Sequence, residues 1–335
     1  MRVTFGIDVS QEHLDLAAAT SKKKAKYLGK FKNTVKEFPT IACVIKEHAG
    51  TAPIEVVMEP TGSYGKPFAE WCHKQNWKVS LPNPKRVRDW ASGGRGTRAK
   101  TDPVDAKILA LFGYNTEPPA WHPLDPTWAK MDELLNLQSM YEKNLRMVEN
   151  QLHAINAQGE TRKESEKSLN RTLKHFKREL AQIDKKLSKE LAKDEEKSEH
   201  VKRLQTCPGV GEKLVLPLLI LLAKWDSLTS GQGNSKGITA LVGLDPRLYT
   251  SGSSVYKHPG ISKMGDRFIR SKLFAAACGG ISAKDNPLVQ FYRRLIGRGK
   301  GYKVSVVACA RKILVWSWAI YRDRKNFEEN KALPH

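Results

Sequence analysis

The first part of the chain alternates between strand-like and helix-like spacing of hydrophobic residues. Short alternating stretches at 2–10, 13–20 and 25–31 are separated by polar turns, which predicts three antiparallel strands. Helical and strand-like stretches then take turns through 35–115. Three strands followed by alternating helices and strands predict an α/β layer whose later strands run parallel. We therefore expect a first domain at residues 1–125.

The pattern changes to long helices in residues 126–205. Apolar residues recur there every three or four positions, which predicts a coiled coil. The segment between the two repeats is polar and contains Gly159, so we expect a helical hairpin, with a single exposed helix as the alternative. The predicted seam consists of Leu134, Leu137, Tyr141, Leu145, Val148, Leu152 and Ile155, then Leu169, Leu173, Phe176, Leu180, Ile183, Leu187 and Leu191.

The last segment, residues 206–335, is predicted to be a mostly helical third domain with glycine-rich interruptions. One of them, PGVGEK at 208–213, resembles a helix-hairpin-helix turn whose backbone N–H groups suit a phosphate. A glycine-capped helix break has the same pattern. Another, TSGSS at 250–254, has the composition of a turn.

The net charge of the chain indicates the kind of partner that it binds. Lys and Arg number 57 against 35 Asp and Glu, for a net charge of +22. Such a surplus indicates a polyanion, and nucleic acid fits better than a membrane because no amphipathic anchor accompanies it. The start has no leader pattern and the apolar run 214–223 is about half a bilayer span, so we expect a cytoplasmic protein without a membrane partner. Five scattered cysteines predict neither zinc nor disulfides.

Four carboxylates have positions that suggest a shared site. Asp8 ends the first predicted strand and Glu59 ends the fourth, so both project from neighbouring strand ends. Asp102 and Asp105 lie three apart at a helix start and share a face. Converging carboxylates can hold two divalent ions for phosphoryl transfer, and Mg²⁺ suits all-oxygen donors. Singly, each has another explanation: Asp8 can cap a turn, and TDPVD is a helix-start signal.

Three stretches around these carboxylates, GIDVSQEHLDLA, VVMEPTGSYG and RAKTDPVDAKILA, resemble the acidic motifs of DEDD-type transposases of bacterial insertion sequences, the family described as bridge-RNA-guided recombinases. The resemblance continues through LQTCPGVGEKLVLPLLI, ALVGLDPRLYTSGSSV and ISKMGDRFIRSKLFAAA, so it spans nearly the full chain. It implies a RuvC-like, ribonuclease-H-like first domain and a C-terminal transposase domain. It also implies a metal-binding tetrad at Asp8, Glu59, Asp102 and Asp105 and a nucleophile at Ser251.

The resemblance implies a bacterial enzyme that cleaves and rejoins DNA strands. Its implied partners are a guide (bridge) RNA, target and donor DNA, and further copies of the chain in a dimer or tetramer with composite active sites. A serine hydroxyl is a weak nucleophile unless it is activated. Attack by Ser251 on a phosphodiester would leave a 5′-phosphoserine and a free DNA hydroxyl, which conserves bond energy for rejoining. By composition alone the same segment is a turn, and Ser253 and Ser254 are expected to be loop residues.

Basic residues accompany both predicted sites, and we expect them to bind nucleic acid. Five lie in a glycine-containing segment that is predicted to be a mobile loop: Arg86, Arg88, Arg95, Arg98 and Lys100. Lys263, Arg267 and Arg270 recur at helical spacing after the serine segment. A further run contains Arg298, Lys300, Lys303 and Arg311. The alternative for each set is a solvated surface. No RRM-like or zinc-finger motif is present, and the guide RNA that the resemblance implies would fit this gap by supplying sequence specificity.

Three other functions fit parts of the chain. GIDVS before a strand meander also opens sugar-kinase-like folds, but these need a second phosphate loop and would not carry this charge. A Holliday-junction-type nuclease would use water and metal alone and leave Ser251 structural. A non-catalytic nucleic-acid-binding protein would keep its carboxylates as vestiges. ATP binding would favour the first function. Cleavage that persists in Ser251→Ala and is abolished in Asp102→Ala would favour the second, and binding without Mg²⁺-dependent cleavage would favour the third.

Overall fold

The computed structural model describes residues 2–60, 62–93, 101–157, 163–247, 249–251, 255–257 and 260–328. The chain divides into two compact units. The first contains Met1–Pro123 and Trp225–Gln232, and the second contains Leu124–Lys224 and Gly233–His335. The predicted three-domain division at residues 125 and 205 stays a prediction.

The first unit is built on a five-stranded mixed sheet. Its strands are β1 Val3–Val9, β2 His13–Ala19, β3 Ala25–Lys32, β4 Ile54–Met58 and β5 Lys78–Ser80. The spatial order is β3-β2-β1-β4-β5. The first three strands pair antiparallel, and β4 and β5 are added in parallel. The predicted meander followed by a parallel α/β layer is therefore confirmed.

The alternation of side chains along β1 decides which helix each residue meets. The helices of this unit are α1 Phe38–Ala49, α2 Lys66–Lys74, α3 Pro84–Ser92 and α4 Asp102–Thr116. Phe5 and Ile7 are buried in the core that contains residues of α1 and α2. Gly6 lies on the opposite face, where an added Cβ would come within 2.2 Å of the Ala106 carbonyl oxygen of α4. Asp8 shares that face because successive side chains of a strand alternate.

The structure corrects the predicted loop that begins at Arg86. Arg86 and Arg88 lie on α3, and the side chain of Asn83 accepts a hydrogen bond from the backbone N–H of Lys85 at 2.9 Å. An Asn cap followed by Pro84 is a helix-start signal, but the prediction relied on the glycine and basic residues of the segment. Arg95, Arg98 and Lys100 lie outside the described residues.

The second unit is mostly helical. Its helices are α5 Pro126–Asn156, α6 Lys163–Ala192, α7 Glu195–Gln205, α8 Glu212–Thr229, α9 Ser235–Val242, α10 Arg267–Ile281, α11 Pro287–Gly297 and α12 Tyr302–Asp323. The end of α8, from Trp225 onward, is grouped with the first unit. A short hairpin pairs β6 Tyr249–Ser251 with β7 Val255–Lys257.

The two longest helices, α5 and α6, pack against each other in opposite directions. The Lys130 ammonium lies 2.7 Å from the Glu190 carboxylate, and the rings of Tyr141 and Phe176 lie 5.7 Å apart. The residue numbers of the two contacts run in opposite senses, which indicates an antiparallel pair. A supercoiled coiled-coil hairpin stays a prediction.

The predicted seam was wrong near the start of α5. Met131 and Leu135 are buried there, whereas Leu137 is 38% exposed. The Lys197 ammonium of α7 lies 5.2 Å from the centre of the Trp128 ring, so α7 as well as α6 contacts this end of α5. Further along, the predicted positions are buried at Val148, Ile155, Leu173, Ile183 and Leu187.

Helix α12 supplies much of the core of the second unit. Val306, Cys309, Ile313 and Leu314 are buried. In the described part of the chain, α12 is the one helix long and apolar enough to cross a membrane, and 56% of its apolar window is buried within the protein. Core helices meet the same criteria, so α12 is weak evidence for a membrane span.

Candidate active site and nucleic-acid interface

The four predicted carboxylates lie around one edge of the five-stranded sheet. Asp8 is the penultimate residue of β1, and Glu59 directly follows β4. Because β1 and β4 are parallel neighbours, their carboxyl ends meet at the same edge. Asp102 and Asp105 lie in the first turn of α4, which packs on the face that Asp8 shares.

The electrostatics of Asp8 show that these carboxylates influence one another. Its pKa is raised from the ordinary 3.8 to about 6, first by burial and then by the negative charges of Asp105, Asp102 and Glu59. A hydrogen bond from the Val9 backbone opposes this rise. At neutral pH the Asp8 carboxyl is therefore ionised despite the repulsion of the neighbouring carboxylates. A bound cation would reduce that repulsion.

The donor chemistry of the tetrad suits Mg²⁺, since all four side chains offer carboxylate oxygens. Within the described ranges, however, no group of three or more His, Cys, Asp or Glu side chains is arranged to hold a metal ion. The tetrad thus fits the metal in charge and ligand type without forming a closed cage.

A second group of polar residues, which the sequence analysis missed, adjoins the tetrad. Asp15 is buried on β2, directly opposite Asp8 in the strand pairing. Its Oδ1 accepts a hydrogen bond from the Tyr27 hydroxyl at 2.6 Å. The Lys30 ammonium lies 3.9 Å from Asp15 Oδ2 and 3.5 Å from Asp102 Oδ2. Lys30 therefore links a buried carboxylate to the tetrad.

The protonation of Tyr27 follows from its surroundings. Burial raises its pKa to about 12, and the hydrogen bond to Asp15 and the charges of Asp15 and Asp102 act in the same direction. At neutral pH the Tyr27 hydroxyl therefore keeps its proton and donates a hydrogen bond to the Asp15 carboxylate.

A bulge in β3 brings Tyr27 and Lys30 to the same side of the sheet. Lys30 pairs with Asp15 and Tyr27 with Ala17, so three steps along β3 match two along β2. Gly29 adopts a φ of 146° at this point, which favours glycine. The signals in the sequence were Asp15 within an apolar strand and Gly29 within the next strand.

The predicted nucleophile lies in the small hairpin of the second unit. Ser251 is the last residue of β6 and pairs with Val255 of β7. Thr250 and Ser251 are therefore strand residues, which corrects the expectation that they belong to a turn. The Ser251 side chain, Ser253 and Ser254 lie outside the described residues. The role of Ser251 stays a prediction.

The structure corrects the predicted helical spacing of Lys263 with Arg267 and Arg270. Helix α10 begins at Arg267, and the side chain of Asp266 caps it through the backbone N–H of Phe268 at 2.8 Å. Lys263 precedes the helix with a left-handed φ of 55°, so it does not share the helix face.

The Arg270 side chain makes hydrogen bonds within the protein. Its guanidinium donates hydrogen bonds to the carbonyl oxygens of Val242 and Gly265, each at 2.9 Å. These bonds tie the start of α10 to the end of α9. Its predicted contact with nucleic acid would have to use its remaining donors and stays a prediction.

The other predicted basic residues are available to a partner. Arg86 and Arg88 are exposed on α3, Arg298 and Lys300 are exposed between α11 and α12, Lys303 is exposed in the first turn of α12, and Arg311 is half-buried on α12. Among residues that the structure describes, none of these six pairs with a carboxylate. Clustered carboxylates and unpaired cations are typical of enzymes that act on nucleic acids.

Two parts of the chain match protein-family models. Residues 5–158 match a model described as a transposase, of the DEDD type, and residues 201–293 match the transposase IS116/IS110/IS902 family. The first match contains the tetrad and the second contains Ser251. Two separate segments of the chain are therefore similar to transposase family models, one around each predicted catalytic feature.

Two curated proteins and one solved structure are also similar to this chain. The pilin gene-inverting protein of Moraxella lacunata is 26% identical over 326 residues, 97% of each chain. That of Moraxella bovis is 27% identical over 282 residues, 84% of each chain. RuvC of T. thermophilus in complex with a Holliday junction substrate is 18% identical, with a TM-score of 0.26, over 34% of this chain and 93% of RuvC. That structural likeness is too weak to carry a conclusion. The family matches and the two relatives identify an enzyme, a DNA recombinase or transposase.

Proposed function

We propose that this chain is an RNA-guided DNA recombinase that cleaves and rejoins the strands of a mobile element and its target. The observation that carries the proposal is the electrostatic coupling of Asp8 to the other three carboxylates, in a chain whose second transposase segment contains Ser251. The carboxylates would hold Mg²⁺, and the serine would act as the nucleophile.

In the proposed reaction, Ser251 Oγ attacks the phosphorus of a DNA phosphodiester. An Oγ–P bond forms, the P–O3′ bond breaks, and the serine proton passes through solvent to the leaving 3′ oxygen. The products are a 5′-phosphoserine and a 3′-hydroxyl. Attack by a 3′-hydroxyl of another strand then restores the serine and joins the DNA, and no high-energy cofactor is consumed.

The tetrad would bind the metal that assists this attack. Bound Mg²⁺ would stabilise negative charge on the phosphoryl oxygens and the leaving group. Asp8, Glu59, Asp102 and Asp105 would hold it through their oxygens. Lys30 lies 3.5 Å from Asp102 and is held near the buried Asp15, so it would limit the positions that the Asp102 carboxylate samples.

The proposal also includes a guide RNA and an oligomer of this chain. The unpaired cations would bind phosphates without reading bases, which leaves sequence choice to base pairing with a bridge RNA. The α5–α6 pair would form a coiled-coil hairpin that joins protomers in a dimer or tetramer. Ser251 of one protomer would then act with the tetrad of another. A mixture of inactive Asp102→Ala and Ser251→Ala chains would recover activity if the sites are shared.

The deciding experiment compares Ser251→Ala, Asp102→Ala and the matched control Ser254→Ala on element-end DNA with Mg²⁺ and the RNA encoded beside the element. We expect a detergent-stable protein–DNA adduct for wild type and Ser254→Ala, and none for the other two. Cleavage by Ser251→Ala at a near-normal rate would indicate a metal-only nuclease. Binding without cleavage by wild type would indicate a binding protein. Activity that persists without the RNA would show that no guide RNA is required.

The names of the two Moraxella relatives support DNA inversion as a second outcome of the same chemistry. Substrates that carry two sites in inverted or direct orientation distinguish the reactions. Inverted sites would yield an inverted segment, and direct sites would yield an excised circle.

A further inference from the structure

An aromatic and basic surface lies where α11 meets α12. Tyr302 opens α12 and is 54% exposed. Its ring lies edge-on to Tyr292 of α11, with the ring centres 6.5 Å apart. Ile296, one helical turn beyond Tyr292, is also exposed. Large apolar side chains grouped at a surface commonly mark a binding site.

The Tyr302 ring is supported from within the protein. Its hydroxyl contacts Cys278 Sγ of α10 at 3.8 Å, and Tyr292 packs against the ring. The side chain is therefore held by neighbours from two other helices while about half of the residue faces solvent. A ring that is fixed in this way can receive a flat partner at little cost in side-chain entropy.

Three cations lie in the connection between the two helices and in the first turn of α12. Gly299 takes a left-handed φ of 74°, and the Lys300 N–H donates to the Leu295 carbonyl at 3.1 Å, which closes the end of α11. Arg298, Lys300 and Lys303 are exposed around this turn. Within the described ranges, none of the three pairs with a carboxylate.

The positive charge of this surface favours one class of binding partner over another. A second copy of the chain would bring another protein of net charge +22 against three unpaired cations. Protein interfaces are depleted of such charges at their centres. Single-stranded nucleic acid offers flat bases for the aromatic rings and phosphates for the cations, which is the combination found in single-strand-binding grooves.

We propose that Tyr302, with Tyr292 and Ile296, forms a stacking platform for unpaired bases of single-stranded nucleic acid, and that Arg298, Lys300 and Lys303 bind its phosphates. The platform rests on the proposed function only in requiring a nucleic-acid substrate. It involves neither the tetrad nor Ser251. Displaced DNA strands and RNA loops both present such bases, and the test separates them.

The test measures binding of the full chain to fluorescent oligomers of about 20 nucleotides. The probes are oligothymidylate DNA, oligouridylate RNA and an abasic DNA of the same length. Tyr302→Ala is expected to weaken binding of the base-bearing probe that uses the platform by roughly 5- to 100-fold and to leave the abasic probe unchanged. Tyr302→Phe keeps the ring and should stay within about 2-fold of wild type. Val304→Ala removes an exposed apolar side chain on the same helix and should bind like wild type.

Salt dependence separates stacking from phosphate contact. Lys300→Ala is expected to reduce the slope of log affinity against log salt by roughly 1, whereas Tyr302→Ala should leave the slope unchanged. A larger loss on DNA would assign the platform to displaced strands, and a larger loss on RNA would assign it to the RNA.

Three results would overturn the platform. They are unchanged binding of every probe by Tyr302→Ala, an equal loss on the abasic probe, or a changed oligomeric state in light scattering with normal probe binding. Cleavage of element-end DNA by wild type and by Ser251→Ala is measured separately. A failure of the cleavage chemistry and a failure of the platform therefore give different results.

Discussion

At the scale of single residues, Asp8 connects the site to the stability of the fold. Its raised pKa means that its protonated form favours folding. That contribution is fully present below the ordinary value of 3.8 and is lost as the pH rises through about 6. The site therefore costs stability at neutral pH when no metal is bound, as catalytic carboxylates commonly do.

Asp8→Asn is expected to stabilise the metal-free protein as the pH rises. The gain should be near zero below about pH 4 and on the order of 1–2 kcal/mol near pH 8, discounted from the full shift because Asp8 is partly exposed. Urea denaturation in EDTA measures it.

Asp194→Asn provides a control of opposite sign. A hydrogen bond from Lys197 lowers the pKa of Asp194, so its contribution is present above the ordinary pKa and is lost in acid. This variant should lose stability as the pH rises. A gain for Asp8→Asn that does not depend on pH would contradict the electrostatic explanation.

Tyr27→Phe tests the buried carboxylate beside the tetrad. It removes the hydroxyl that donates to Asp15 and leaves a buried charge with fewer donors. We expect a loss of about 1–3 kcal/mol in unfolding free energy, measured by urea denaturation. Tyr64→Phe, at an exposed tyrosine of the same unit, should change it little. Equal effects of the two variants would mean that the Asp15 contact does not stabilise the protein.

At the scale of elements, the position of the acidic pair depends on how closely α4 approaches β1. Gly6→Ala would place a Cβ 2.2 Å from the Ala106 carbonyl oxygen and from the Ala110 backbone nitrogen. Backbone atoms cannot yield as a flexible side chain can, so α4 must shift. We expect a cost of about 3 kcal/mol in thermal or urea unfolding, together with loss of DNA cleavage.

Gly279→Ala is the matched control for that substitution. Gly279 lies within α10, and an added Cβ would meet nothing within 4 Å. Because alanine restricts the unfolded chain more than glycine does, this variant should gain about 0.5–1 kcal/mol. Destabilisation of similar size at both glycines would show that the close approach at Gly6 is not the cause.

The elements that the sequence predicts well are those with a long, regular pattern. The antiparallel strands, the parallel addition of β4 and the acidic start of α4 follow from periodicity and end signals. The missed features each depend on a contact between distant segments. The bulge at Gly29 is defined by pairing with β2, and the burial of Met131 and Leu135 with Leu137 exposed depends on the rotation of α5 against its neighbouring helices. A single sequence does not contain those partners.

Prediction of the candidate site divides along the same line. The positions of Asp8, Glu59, Asp102 and Asp105 could be predicted because strand ends and helix starts have signals in the sequence, and their metal-binding role stays a prediction. Asp15 was not found, because its importance comes from Tyr27 and Lys30 across a strand pair. Arg270 looked like a free cation, and only the fold reveals the carbonyl groups that it holds.

At the scale of the whole molecule, the net charge of +22 has a measurable consequence for DNA binding. Each cation that neutralises a phosphate releases counterions and makes affinity depend on salt. Exposed, unpaired cations should contribute to this dependence, whereas cations already paired with carboxylates should not. Arg86 and Arg88 on α3 belong to the first kind, and Lys202, 2.6 Å from Glu199, belongs to the second.

The double variant Arg86→Ala and Arg88→Ala should therefore reduce the slope of log affinity against log salt for duplex DNA by about 2, since each phosphate contact contributes roughly 0.9. Lys202→Ala should leave the slope unchanged. Fluorescence anisotropy between about 50 and 200 mM salt covers the range in which such slopes are linear. If both variants reduced the slope alike, binding would follow total charge. A change confined to the α3 pair would place a DNA backbone beside the helix that directly precedes the acidic pair.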